Sequence, residues 1–189
     1  YVFIDTLSKK LSSKETIIAD DGGHLTWTLQ AFKIKQGQNL FSAFGNSPMG
    51  YSLPASIGAS IAKNNSRIIC IDGDGSFMMS CQELATIREN NLPIKIILLD
   101  NKKLQMVYTW QDLFYNKNFI TTENINPCFK TLGKSFGIET FSCSKKNKIR
   151  ETLQKVLFHN GPVLAHFQVE PEHCLPFVKP GSSLEDMLL

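Results

Sequence analysis

The chain has 189 residues, of which 42% are hydrophobic and 20% charged, and its formal net charge is +3. This length can bury the core of one domain, and the composition is typical of a water-soluble globular protein. The charge is too small to indicate nucleic acid or a membrane surface as a partner, and no apolar run approaches the roughly 20 residues of a membrane-spanning helix. The five cysteines form no Cys-x-x-Cys pair, so we expect reduced thiols and a cytoplasmic protein.

The first elements are a short helix within residues 1–13, a strand at residues 16–19 and a helix from His24 to Phe32. The pair Gly22-Gly23 precedes the second helix, and the free N–H groups of such a helix start attract phosphate oxygens. His24 can supply a further donor there, or it can cap and pack locally. A glycine- and proline-containing loop at residues 39–52 follows, and then a helix from about Leu53 to Lys63. On its own, Met49 in this loop would be an ordinary gap-filling core residue.

Residues 67–101 form a predicted strand-helix-strand unit. Arg67 to Ile71 and Ile94 to Leu99 are apolar, β-branched runs, and a glycine-acid turn at residues 73–76 follows the first of them. The helix between them is predicted to start at Ser80, with Glu83 completing a capping box. Asp74 and Asn101 follow the two strands, so their oxygens are expected to meet at one edge of a parallel sheet. Such oxygens suit Mg²⁺ that also binds substrate phosphates.

After Asn101 the pattern predicts a helix at residues 104–114, in which Met106, Trp110 and Phe114 recur at core spacing. Residues 115–126 read as a mobile polar loop, and Asn126-Pro127 is expected to start the next helix. A strand at residues 138–143, a helix at 146–160 and a strand at 163–169 complete the pattern. His166 has no acidic neighbour in sequence, so we expect it to be structural. Alternating strands and helices predict an α/β fold, a doubly wound parallel sheet with helices on both faces.

The motifs named so far, read together, resemble those of thiamin diphosphate-dependent enzymes, whose signature opens with Gly-Asp-Gly and closes on asparagine. Gly22-Gly23-His24 with Trp27, Pro48-Met49-Gly50-Tyr51, Gln82-Glu83-Leu84, and Met106-Val107 with Trp110 are similar to the acetolactate synthase (acetohydroxyacid synthase) large subunit. The resemblance spans nearly the whole chain but only the C-terminal, diphosphate-binding domain of that family. Together with the missing initiator methionine, it implies that residues 1–189 are a single C-terminal domain cut from a longer enzyme, with residues 171–189 as a tail.

The resemblance also implies roles for individual residues. Met49 would be the apolar wedge that bends thiamin diphosphate, the Ser47 carbonyl would accept from its pyrimidine, and Trp110 would border the substrate channel. Mg²⁺ would be bound by the side chains of Asp74 and Asn101 and by the Lys103 carbonyl. The full set expected at the cofactor is Gly23, His24, Ser47, Met49, Gly73, Gly75, Ser76 and Met106.

The activity implied by the resemblance is decarboxylation of pyruvate and condensation of the hydroxyethyl carbanion with a second 2-oxo acid, in branched-chain amino acid biosynthesis. The glutamate that activates the pyrimidine would lie on a missing domain, so no catalytic residue is assigned here and the fragment alone is expected to be inactive. FAD on a missing domain and a regulatory subunit are left open, and a homodimer or larger homo-oligomer that shares the site is expected.

Two positions depart from the family pattern. Gln105 replaces the usual glycine, and Thr109 replaces the usual glutamine. A related thiamin diphosphate-dependent decarboxylase or carboligase for another 2-oxo acid is therefore one alternative. A non-catalytic module that binds Mg²⁺ and diphosphate is another.

Overall fold

The computed structural model describes residues 1–175 and 177–188. The first half of the chain contains α1 (Val2–Lys10), β1 (Thr16–Ala19), α2 (Gly23–Ala31), β2 (Asn39–Phe41), α3 (Ser52–Ala62), β3 (Ile68–Gly73), α4 (Asp74–Ser80) and α5 (Leu84–Glu89). The second half contains β4 (Ile94–Asp100), α6 (Gln105–Phe114), α7 (Phe129–Ser135), β5 (Glu139–Cys143), α8 (Ile149–Phe158) and β6 (Val163–Gln168).

The six strands form one sheet in the order β2-β1-β3-β4-β6-β5, and every pair is parallel. The chain moves outward from β1 to β2 and then returns to build the rest of the sheet on the other side of β1. This topology confirms the predicted doubly wound α/β fold. Because all strands run in one direction, the loops that follow them gather at a single edge, the carboxyl edge.

Both faces of the sheet are buried, which explains why the central strands are apolar without alternation. On one face, Ile69 and Ile97 belong to a core cluster that includes residues of α1, α2 and α8. On the other, Ile68 and Ile96 pack with residues of α3, α4, α5 and α7. Every residue of β3 and β4 is buried. Truncating one of these isoleucines to alanine would cost about 2–5 kcal/mol, so β3 and β4 are firmly held.

The structure corrects the predicted starts of two helices. The segment at residues 73–76 is not a turn, because β3 runs through Gly73 and α4 begins at once with Asp74. Ser80 therefore ends α4 instead of capping a new helix; its Oγ has no partner among the described residues, and Glu83 accepts from Thr86 at 3.0 Å. The helix expected at Asn126 begins later, at Phe129.

Two further predictions from the sequence were incomplete. The edge strand β2 was missed, since its three residues have only one partly buried side chain, Leu40. His166 does have an acidic partner, with its Nε2 2.8 Å from Asp100 Oδ2. Within residues 1–175 and 177–188, we find no helix with the length and apolar character needed to cross a membrane.

Candidate functional site

A cavity of about 90 Å³ opens at the carboxyl edge, between the loops that follow β1, β3 and β4. It collects all the residues expected at the cofactor and the metal except Ser47. Those that line it are Gly23, His24, Met49, Gly73, Asp74, Gly75, Ser76, Asn101, Lys103 and Met106. A larger cavity of about 360 Å³ lies beside α1 and the ends of β5 and β6, and it contains none of these residues.

Ser47 and Trp110 lie outside the cavity lining. Ser47 is exposed, with a φ of 44°, at the tip of the loop that carries Met49. Trp110 is one turn along α6 from Met106 and is 37% exposed. Its ring packs on Phe114 and Phe177, with centroids 6.5 and 5.8 Å away. Trp110 is therefore partly exposed on α6 and not fully in the core.

Asp74 is fixed by two amide groups from the loop at residues 115–126. Its Oδ2 accepts from Asn124 Nδ2 at 3.0 Å and from Asn126 Nδ2 at 2.7 Å, and the residue is 1% exposed. Burial raises the pKa of Asp74, and these two donors oppose that rise. Because β3 and β4 are hydrogen-bonded neighbours, Asp74 and Asn101 begin adjacent loops on the same edge. This is the placement expected for two ligands of one cation.

The backbone around Lys103 leaves its carbonyl free of the neighbouring segment. Lys103 forms an antiparallel bridge with Glu123, and the bonds on either side of it are Leu104 N to Thr122 O and Asn124 N to Lys102 O. Lys103 and Glu123 are therefore a non-hydrogen-bonded antiparallel pair, in which each residue directs its own N–H and C=O away from the partner strand. The Lys103 N–H instead donates to Asn101 Oδ1 at 3.1 Å. Its carbonyl can therefore act as a third oxygen ligand.

His24 lies across glycines at the base of the cavity. A Cβ on Gly73 would be 2.5 Å from His24 Nδ1, and one on Gly22 would be 2.8 Å from Cε1, so no larger residue fits under the ring. Burial lowers the pKa of His24 to about 3, which keeps the imidazole neutral. Its buried Nε2 has no hydrogen-bond partner among the described residues. A buried donor or acceptor without a partner is costly, so this nitrogen is suited to a ligand oxygen.

Asp20 and Asp72 lie close to His24, with potential ligand atoms of all three within 4.8 Å of one another. Their carboxylate oxygens, however, already accept hydrogen bonds from the protein. Asp20 accepts from the backbone N–H groups of Gly50 and Ser52, and Asp72 accepts from Ser52 Oγ at 3.0 Å and from Ser76. Burial and the adjacent Asp20 raise the pKa of Asp72. This cluster therefore joins the loops of the site and is not a second metal centre.

The sequence analysis missed the polar side chains that surround Asp74. Asn124 and Asn126 approach Asp74, and Asp100 links Asn126 to His166. The only local signal was the high asparagine content of residues 116–126, which was interpreted as a mobile loop. Gln105 was identified as a departure from the family pattern. The hydrogen bond that its Oε1 accepts from Asn101 Nδ2, at 2.8 Å, could not be inferred from spacing alone.

The arrangement fits a diphosphate held through a divalent cation. Asp74, Asn101 and the Lys103 carbonyl supply hard oxygen donors, as Mg²⁺ prefers. The His24 Nε2, which has no partner among the described residues, is available to a ligand oxygen. The remaining lining is mainly apolar, including Trp27, Leu99 and Leu104.

Comparisons with known proteins agree with this chemistry. Residues 20–167 match the family model described as "Thiamine pyrophosphate enzyme, C-terminal TPP binding domain", thiamine pyrophosphate being another name for thiamin diphosphate. The chain is 38% identical to the acetolactate synthase isozyme 2 large subunit of Escherichia coli (strain K12), over 99% of this chain and 35% of that protein. It is 39% identical to the probable acetolactate synthase large subunit of Methanococcus aeolicus, over 93% of this chain and 30% of that protein. With acetolactate synthase 1, chloroplastic, of Zea mays the identity is 40%, over 95% of this chain and 30% of that protein.

The chain thus spans about a third of the length of these curated relatives. The family match covers most of the chain, from the end of β1 to β6, and includes every residue that lines the cavity. The chain therefore belongs to the thiamine pyrophosphate enzymes, as a C-terminal thiamine pyrophosphate-binding domain.

Proposed function

We propose that this chain is the thiamin diphosphate- and Mg²⁺-binding domain of an acetolactate synthase-like enzyme. The observation that supports the proposal is that Asp74, Asn101 and Lys103, which offer oxygen atoms, line one cavity together with His24, whose Nε2 has no partner among the described residues. Those oxygens would hold Mg²⁺ together with a diphosphate. The start of α2 at Gly23 and the segment from Gly73 to Ser76 provide backbone N–H groups for the phosphate oxygens.

The apolar part of the cavity has a separate role in the proposal. When bound, thiamin diphosphate supplies an ylid that can add to a 2-oxo acid and stabilise the carbanion left by decarboxylation. Met49 and Met106 hold its ring system, and Leu104 and Val107 extend the apolar wall. Excluding water here favours loss of a charged carboxylate and protects a carbanion from protonation. From the resemblance to acetolactate synthases, we also propose that the Ser47 carbonyl accepts a hydrogen bond from the pyrimidine; Ser47 lies at the loop tip outside the cavity lining.

The substrates we propose are pyruvate and a second 2-oxo acid, as in branched-chain amino acid biosynthesis. The named relatives, all acetolactate synthases, support this reading. We further propose that the 189 residues are one domain of a longer polypeptide that forms a homo-oligomer with shared sites. The pyrimidine-activating glutamate and any FAD would then lie outside these residues, and a regulatory subunit remains a possible partner. Five free cysteines are consistent with the reducing cytoplasm.

A second candidate function is a carboligase or decarboxylase for a different 2-oxo acid. The observation that favours it is that Gln105 and Thr109, the two departures from the family pattern, form the buried side of α6 next to the site. We propose that they alter the acceptor side of the cavity.

The test is to supply pyruvate to the intact enzyme with thiamin diphosphate, with and without Mg²⁺. We expect Mg²⁺-dependent formation of acetolactate. If pyruvate gives no acetolactate and another 2-oxo acid supplied in its place is turned over, the second candidate function is supported. Tight cofactor binding without turnover of any 2-oxo acid would indicate a non-catalytic module, and turnover after complete removal of divalent cations would contradict the metal assignment.

A further inference from the structure

The amide of Asn101 is held in one orientation by its hydrogen bonds. The Lys103 N–H can only donate, so the atom that it approaches at 3.1 Å must be the Asn101 oxygen, Oδ1. The amide nitrogen Nδ2 then points the other way and donates to Gln105 Oε1 at 2.8 Å. One lone pair of Oδ1 remains available for a cation, because a carbonyl oxygen can accept twice.

Gln105 is in turn held by α6 and by the C-terminal tail. Its Nε2 donates to Thr109 Oγ1 at 3.3 Å, and the same oxygen accepts from the Cys174 N–H at 3.4 Å. Gln105 and Thr109 are 4% and 0% exposed. A Cβ on Gly23 would be 2.7 Å from Gln105 Cβ, so α2 closes directly over the glutamine stem. The side chain therefore has little freedom to rotate its amide.

This chain of hydrogen bonds has a fixed direction from end to end. The backbone donor at its start, Lys103 N–H, sets the direction of both amides, and the chain ends at the Thr109 hydroxyl, which also accepts from the Cys174 N–H. Neither the asparagine nor the glutamine amide can turn over without placing two donors or two acceptors face to face. A buried mismatch of that kind is costly.

We propose that Gln105 is a positioning residue that keeps the Asn101 oxygen, and not its NH₂ group, directed at the bound cation. The inference rests on the proposed Mg²⁺ site and adds a residue to it that does not itself touch the metal. Partners that orient the ligands of a metal site typically affect its affinity by 10–100-fold. Thr109 supports Gln105 in the same way from the next turn of α6.

The experiment is a calorimetric titration of the intact enzyme with Mg²⁺ at saturating thiamin diphosphate, which measures the Mg²⁺ affinity. Gln105→Met keeps the size of the side chain and removes both hydrogen bonds, and we expect Mg²⁺ affinity to fall roughly ten-fold. Gln154→Met, an exposed glutamine on α8, is the matched control and should leave affinity unchanged. Gln105→Glu keeps an acceptor for Asn101, so affinity should be no weaker than in the wild type.

Repeating the Gln105→Met substitution in an Asn101→Asp protein separates the effect of amide orientation from the effect of packing around Gln105. In Asn101→Asp both terminal atoms are oxygens, so no orientation has to be chosen. We expect Gln105→Met to cost little or nothing in Mg²⁺ affinity there. An equal loss in both backgrounds, a loss with Gln105→Glu as large as with Gln105→Met, or no loss with Gln105→Met would each overturn the inference.

The proposed metal site is tested alongside by Asp74→Ala. If this variant binds Mg²⁺ as the wild type does, the metal assignment itself is wrong. If it loses Mg²⁺ binding while Gln105→Met does not, only the role of Gln105 is wrong. Should Gln105→Met fail to fold, the comparison of Thr109→Val with Thr109→Ser replaces it, since only valine removes the oxygen that holds Gln105.

Discussion

Asn126 and Asp74 are 52 positions apart in the chain, and their side chains are joined by a 2.7 Å hydrogen bond. The same Asn126 Nδ2 lies 2.8 Å from Asp100 Oδ1. One amide nitrogen thus separates two carboxylates that would otherwise repel each other. The segment at residues 115–126, which has no regular structure, is in this way attached to the carboxyl edge of the sheet.

We predict that Asn126→Leu, which is similar in size but has no donor, destabilises the domain by about 1–3 kcal/mol, because two carboxylates lose a hydrogen-bond donor. The midpoint of urea denaturation, monitored by tryptophan fluorescence, measures this. Asn118→Leu, in the exposed part of the same segment, is the control and should stay within about 0.5 kcal/mol of the wild type. Equal effects of the two variants would show that the Asn126 contacts are unimportant.

Asp74→Ala is expected to abolish Mg²⁺-dependent cofactor binding in the intact enzyme and to leave the fold intact. The reason is that the cation loses the only anionic side chain among its three proposed ligands. Calorimetry with thiamin diphosphate and Mg²⁺ measures the affinity, and circular dichroism reports the fold. Asp186→Ala, an exposed acid near the end of the chain, is the control. Undiminished affinity in Asp74→Ala would refute the assignment.

For Trp110→Leu in the intact enzyme, we predict a normal fold and cofactor affinity but a reduced preference for 2-oxobutyrate over pyruvate as the second substrate. Trp110 is partly exposed on α6, one turn from Met106, which lines the cavity, and a large flat side chain at this position can discriminate by size. One methylene in an apolar pocket is worth roughly 1–3 kcal/mol in selectivity. Competition between the two acceptors measures the product ratio, with Phe158→Leu, at an exposed position on α8, as control. An unchanged ratio, or an unfolded variant, would indicate that Trp110 has only a structural role.

His24 should make the domain less stable as the pH falls. Its pKa is about 3 when folded and near 6.5 in an unfolded chain, so between these values the unfolded state binds one more proton. Asp72, whose pKa is raised on folding, changes stability in the opposite direction and masks the effect in the wild type. A comparison of the wild type with His24→Gln isolates the contribution of His24 to the pH dependence of stability, because Asp72 is present in both proteins.

From pH 7 to pH 5, we expect the free energy of unfolding of the wild type to fall by about 2 kcal/mol relative to His24→Gln. Urea denaturation at several pH values gives both curves. A constant difference between the two proteins would mean that His24 is protonated in the folded state, contrary to its buried position.

The 189-residue chain alone should neither turn over pyruvate nor bind thiamin diphosphate tightly. A cavity of about 90 Å³ is far smaller than the 300–1,000 Å³ of typical ligand sites, so most of the cofactor would remain in contact with water. Calorimetry and an acetolactate assay on the purified domain test this, with the intact enzyme as the positive control. Measurable turnover by the domain would contradict the proposal of a shared site.

The parts of the fold that follow from local pattern were predictable. Continuous apolar runs identify β3 and β4, and since Asp74 and Asn101 directly follow them, their meeting at one edge follows from parallel topology. Contacts between distant segments were not predictable. Nothing near Asn126 in the sequence indicates Asp74, and the His166–Asp100 pair depends on β4 and β6 being neighbours. The capping-box pattern at Ser80 failed because the helix had already begun at Asp74.

The two backbone hydrogen bonds that Asp20 accepts have a consequence for binding kinetics. By accepting from the N–H groups of Gly50 and Ser52, the carboxylate fixes the end of the loop that carries Met49. The entropy of ordering that loop is therefore lost during folding and not during association. A ligand meets a surface that is already shaped, which favours encounter rates limited by diffusion and orientation over rates limited by rearrangement of the loop.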